Sequence, residues 1–239
     1  MTPAIDIDNG LPHGAEKAAA VRHMFDTISP RYDLVNRIMT FRLDVAWRRK
    51  TIKALGLPAG STILDLAAGT GDFCRELESR GFQPIGMDLS FGMLSHARTD
   101  APLVQCDALL LPVRDAAVDG VTCGFALRNF TELGAFFDEL GRVTRPGGRI
   151  ALVDACSPEN PLMKFGHGLY FGKVVPAIGG LLSDRSAYRY LPKSLAYLPP
   201  PHELLERLRA AGFSGVQRQL LTGGAAHLIV ATRSASARA

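Results

Sequence analysis

The chain reads as a doubly wound α/β fold built on a mostly parallel sheet. Three features predict this. Short apolar runs end in acids at Asp65, Asp88 and Asp107. Stretches of helical periodicity separate the runs, and the first run opens into a tight Gly69-Thr70-Gly71 turn. Residues 62–66 form the first buried strand, and 73–79 the helix that follows the turn. Residues 84–88, 103–108 and 119–125 give three further strands. Residues 132–143 place Leu133, Phe136, Phe137, Leu140 and Val143 at helical spacing. Arg145-Pro146-Gly147-Gly148 then reads as a turn leading into a strand over 149–154. After an insertion spanning 157–201, a helix over 203–211 precedes strands at 216–221 and 226–232, an antiparallel hairpin at the sheet edge.

The turn narrows the choice of cofactor. A dinucleotide fingerprint wants a third glycine near position 74, where this chain has Cys74, and a phosphate loop wants a lysine that does not follow Gly71. Asp65 and Asp72 flank the turn instead. Acids on both sides suit a cofactor that carries cationic groups and no phosphate, and S-adenosylmethionine, with its sulfonium and ammonium, is such a molecule. Asp88 at the second strand end is placed to accept from ribose hydroxyls, and Asp107 from an adenine amine. Any one of these acids would serve equally well as a turn residue or helix cap. Their recurrence at successive strand ends favours the ligand reading.

Several separated motifs resemble the ubiquinone/menaquinone biosynthesis C-methyltransferase family, from about Phe25 to about Gly224. They are Phe25-Asp26 with Tyr32-Asp33 and Asn36, then Trp47-Arg48, the turn Asp65 to Asp72, Phe125-Ala126-Leu127-Arg128-Asn129, Tyr188-x-Tyr190-Leu191-x-x-Ser194, and Leu221-Thr222-Gly223-Gly224. The resemblance implies a Rossmann-like class I methyltransferase with a seven-stranded sheet, helices on both faces, a helical N-terminal segment and a lid insertion. It implies S-adenosylmethionine held by Asp65, Ala67, Gly69, Thr70, Gly71, Asp88, Leu89, Met93, Asp107, Ala108 and Phe125. It also implies a quinol acceptor, with demethylmenaquinol or the ubiquinone-precursor equivalent as substrate. A natural-product phenol is the alternative acceptor, and a non-catalytic cofactor-binding protein is a further alternative.

Methyl transfer is an in-line displacement, so the enzyme gains chiefly by alignment. A ring carbon becomes nucleophilic when a neighbouring hydroxyl loses its proton, which asks for a base or a charge stabiliser nearby. The resemblance supplies Arg128, Asn129 and Tyr32. Arg128 would stabilise a phenolate or act through a water, because a guanidinium stays protonated.

Composition sets the remaining limits. At 239 residues with 47% hydrophobic content the chain suits one domain. Its segments read as 1–55 helical, 56–156 cofactor core, 157–201 acceptor lid, 202–233 C-terminal helix and strands, and 234–239 tail. The N-terminus shows no secretory leader, so a cytoplasmic protein is expected, with an optional peripheral contact at the inner face of the membrane. Four cysteines without close pairing read as reduced core residues. No metal pattern appears, and hydrolase motifs are absent. A net charge of +4 with arginines and lysines concentrated near 31–53 allows an anionic surface as partner. No nucleic-acid motif accompanies it, and a homodimer is left open.

Overall fold

In the computed structural model the described residues are 13–175, 177, 178, 190 and 193–235. They form a seven-stranded sheet in the order β3-β2-β1-β4-β5-β7-β6. The strands are β1 (Thr62–Leu66), β2 (Gln83–Asp88), β3 (Leu103–Gln105), β4 (Val118–Gly124), β5 (Thr144–Ala155), β6 (Phe213–Leu221) and β7 (Ala226–Arg233). The first five run parallel, and β7 joins β5 and β6 antiparallel. The chain leaves β1 toward β2 on one side and returns to β4 on the other. That reversal opens a crevice at the carboxyl ends of β1 and β4.

Alternation along β1 sends Leu64 and Leu66 to one face and Ile63 to the other. The first face packs against α6 (Leu133–Val143) through Phe136, Phe137, Leu140 and Val143, and against Leu204 and Leu208 of α8 (Pro201–Ala210). The opposite face is covered by Trp47, Ile52 and Leu55 of α3 (Leu43–Leu55) and by Phe73 and Leu77 of α4 (Asp72–Glu78). Burial on both faces explains why the parallel strands read as continuous apolar runs.

A third cluster stands apart from the sheet. It joins Val21, Met24 and Ile28 of α1 (Gly14–Ile28), Val35 and Met39 of α2 (Tyr32–Met39), Val175 and Tyr190. The insertion contributes α7 (Pro161–Leu169) and a π turn, Tyr170–Val174. A short helix α5 (Phe91–Ser95) follows β2.

Two expectations are corrected. Residues 145–148 are a bulge inside β5 and not a turn before it: pairing jumps from Val118–Thr144 to Gly120–Arg149. The third strand stops at Gln105, so Asp107 lies in the loop beyond it. The C-terminal antiparallel pair stands at the sheet edge as expected, with β6 outermost and β7, largely buried, between it and β5. Tyr188 and Leu191 of the expected motif lie outside the described residues.

Candidate active site

The crevice continues into a cavity of about 580 Å³ lined by the turn after β1, the ends of β2 and β4, α2, α3 and part of the insertion. Gly69 adopts φ +57°, and a side chain there would project into open space, so bare backbone faces the cavity. Gly71 is needed for a different reason. It sits at φ +79° at the start of α4, where a Cβ would come 2.8 Å from Thr99 Cγ2. Ala67 and Phe125, at the ends of β1 and β4, both hold positive φ and both line the cavity. Strained backbone therefore marks the two strand ends that make the crevice.

Asp88 accepts Gly69 N–H and Ser90 N–H, each at 2.8 Å. Burial raises its carboxyl above the usual range, while the backbone N–H groups pull it back. Each oxygen keeps a further lone pair for a ligand. Asp107 is exposed and accepts Leu109 N–H at 2.9 Å. Leu89, Met93, Ala108 and Thr70 line the same cavity.

Asp65 and Gly71 do not reach the cavity. Strand alternation turns Asp65 to the face that carries α4. There it accepts from Thr122 Oγ1 at 2.9 Å and from Cys74 Sγ at 3.5 Å. Burial pushes its carboxyl up to about 7, against those two hydrogen bonds.

Arg128, Asn129 and Tyr32 all line the cavity, yet their partners differ from what the motif suggests. Arg128 is no lone cation: its Nη1 pairs with the fully buried Asp154, and its Nε donates to Ser194 Oγ at 3.0 Å. Asp154 at the end of β5 needs a countercharge, and Arg128 supplies it. Asn129 Oδ1 accepts from Tyr190 Oη at 3.3 Å. Thus the serine and second tyrosine of the later motif brace the Arg-Asn pair. Tyr32 hydrogen-bonds Asn36, and burial raises its hydroxyl despite the nearby Arg128 and Arg48 charges. It stays a neutral phenol at neutral pH.

The N-terminal helices are fastened to the cofactor turn by ion pairs that the sequence reading missed. Asp72 meets Arg48 at 2.8 Å, Arg37 at 3.4 Å and also Arg75, while Thr70 donates to Asp33. Asp26 accepts from Ser90 Oγ and from Gly92 N–H at 2.9 Å, tying α1 to α5. Lys17 is buried, donates to the Phe130 carbonyl at 2.8 Å and lies 3.6 Å above the Tyr197 ring. The Phe-Asp and Tyr-Asp spacing was the available signal for these ties, but an ion-pair partner 35 residues away cannot be read from spacing.

The Leu221-Thr222-Gly223-Gly224 motif also acquires a physical reason. Trp47 Nε1 donates to Thr222 Oγ1 at 2.9 Å, and a Cβ at Gly223 would collide with Met163 of α7. His167 of α7 lines the cavity too, and burial lowers its pKa below the ordinary imidazole value, so it is neutral at neutral pH. Among the described residues no cluster of His, Cys, Asp and Glu is arranged to hold a metal ion.

This geometry fits a cofactor without phosphate. The turn brings Gly69 backbone and Asp72 to the cavity wall, where Asp88 and Asp107 join them; among the described residues the wall holds no lysine, and its arginines, Arg22, Arg48 and Arg128, are each paired with a carboxylate. Residues 13–233 match the ubiE/COQ5 methyltransferase family. The chain belongs to that family. Its relatives include the protein named demethylmenaquinone methyltransferase from Roseiflexus castenholzii, 40% identical over 91% of this chain and 95% of that one. A protein of the same name from Thermus thermophilus is 40% identical over 88% of this chain and 100% of its own length. Among solved structures, phosphoethanolamine N-methyltransferase 2 of Haemonchus contortus, in complex with S-adenosyl-L-methionine, superposes with a TM-score of 0.60. That match is 16% identical and covers 78% of this methyltransferase and 52% of the nematode chain, and it establishes a shared fold. The acceptor is a small molecule, and no helix among the described residues is long and apolar enough to cross a membrane.

Proposed function

We propose that the enzyme transfers a methyl group from S-adenosylmethionine to a ring carbon of demethylmenaquinol. The observation that carries this is one cavity lined both by Gly69 and Asp88 and by Met39, Phe41, Met163 and Tyr170. The first set suits a ribose and a cationic centre, the second a lipophilic ring and tail. The names of relatives at 40% identity support the choice of acceptor.

When bound, S-adenosylmethionine supplies an electrophilic methyl. Asp88 would accept from ribose hydroxyls and Asp107 from an adenine amine, and the bare Gly69 backbone would leave room for the cofactor beside them. Asp65 acts from beneath the turn, as a support and not as a contact. Tyr32 and Asn129 hold an acceptor hydroxyl by hydrogen bonds and fix the ring's orientation. The Arg128–Asp154 pair contributes a directed N–H field with little net charge, so it steadies a phenolate less than a lone arginine would. His167, neutral and facing the cavity, is the group suited to take the hydroxyl proton. The insertion, with α7 over the cavity, serves as the acceptor lid, and the protein works at the cytoplasmic face of the membrane that holds its acceptor.

The test is transfer of labelled methyl to demethylmenaquinol and to a water-soluble natural-product phenol under reducing conditions. The proposal expects transfer to the quinol and little to the phenol. The reverse preference would reject it.

A further inference from the structure

The helices at the cavity mouth leave an apolar rim uncovered. α7 buries none of its residues. Leu162, Phe165 and Leu169, spaced three and four apart, fall on one side of it, and the first two are 81% and 74% exposed. α2 adds Leu34 and Ile38 one turn apart, with Phe41 just beyond its end at 74% exposure. Tyr170 fastens the two stripes together: its hydroxyl donates to the Met39 carbonyl at 2.6 Å, and its ring centre lies 5.8 Å from that of Phe41. Phe41 and Tyr170 also line the cavity, so the rim continues into the interior. Six large apolar side chains grouped in this way are more than ordinary scattered surface exposure.

Within the two stripes the charged side chains have one sign, with Arg37 turned to Asp72 at 3.4 Å. Residues 34–43 contain Arg37 and Arg42 and no acid, and residues 161–175 contain Lys164 and Lys173 and no acid. Apolar side chains beside cations on short helices are the pattern of a surface that enters the headgroup region of a bilayer. A two-fold contact between copies would place these cations against themselves.

We propose that this rim docks on an anionic phospholipid surface and delivers the cavity mouth to a lipid-soluble acceptor. The inference rests on the acceptor class proposed above. The test is flotation with phosphatidylcholine vesicles, with and without phosphatidylglycerol, for the wild type and two double variants. Leu162→Ser/Phe165→Ser and Lys164→Ala/Lys173→Ala alter side chains that do not line the cavity. Wild-type protein is expected to float with anionic vesicles, less so in high salt. The lysine variant is expected to bind them about 25-fold more weakly, at about fivefold per lysine. The apolar variant should lose binding on the order of a hundredfold.

Both variants are expected to methylate a short-chain, water-soluble demethylated naphthoquinol at the wild-type rate, while turnover of the long-chain quinol in vesicles falls. Absent flotation, equal binding to neutral and anionic vesicles, or variants that bind as the wild type does would overturn the docking proposal. So would self-association that the apolar variant abolishes without any vesicle binding. Flotation without methylation of either quinol would leave the rim assigned and reject the acceptor. Methylation without flotation would do the opposite.

Discussion

Asp65→Asn separates support of the cofactor turn from contact with the cofactor. The carboxyl is 1% exposed, and burial raises it from 3.8 to about 7. At about 1.4 kcal/mol per tenfold change in proton affinity, this displacement corresponds to about 4 kcal/mol. The sign follows from which state holds the proton more tightly. The folded protein does, so the stabilisation is fully present below pH 3.8 and is lost as pH rises through about 7. Asparagine carries no titrating group and keeps an acceptor for the Thr122 hydroxyl. The stability of the variant relative to wild type should therefore climb by about 4 kcal/mol between about pH 4 and pH 8. Other carboxyls cancel in the difference. Urea unfolding followed through Trp47, the single tryptophan, measures it. A difference that stays flat across this range would refute the reasoning. So would a loss of cofactor affinity as large as that of Asp88→Asn.

Other substitutions probe the remaining parts of the site. Asp88→Asn should weaken cofactor binding by roughly tenfold to a hundredfold in calorimetry, because it removes a charged acceptor. Asp154→Ala leaves the Arg128 charge buried and unpaired, and should cost about 3–5 kcal/mol in urea unfolding. The double variant Arg128→Met/Asp154→Leu should recover most of that stability without recovering turnover. Gly124→Ala would drive a methyl into the Phe73 ring and should lower stability by about 1–3 kcal/mol in thermal unfolding.

The sheet was legible in the sequence because its strands are buried on both faces and read as apolar runs. The placement of Asp88 at the cavity wall was legible for a related reason, since an acid closing such a run stands at the carboxyl end of the sheet. The turning of Asp65 toward Thr122 and Cys74 was not legible, because its direction depends on strand alternation and on where α4 settles. The apparent turn at 145–148 contains the right residues for a turn, but tertiary pairing with β4 on both sides converts it to a bulge. Arg128 shows the same limit. Its motif placed it at the cavity, and only the fold brought Asp154 and Ser194 to its guanidinium. The ties from Arg37, Arg48 and Asp33 to the cofactor turn join α2 and α3 to the loop after β1. They depend on the packing of the N-terminal helices over the crevice, which no local pattern encodes.

Carbon methylation of a quinol in this cavity leaves a distinct product. The most direct measurement is nuclear magnetic resonance of the product formed from methyl-labelled S-adenosylmethionine and demethylmenaquinol. A labelled methyl on the ring carbon is the predicted result. A labelled methoxy group, or no labelled quinone product from enzyme that binds the cofactor, would contradict it.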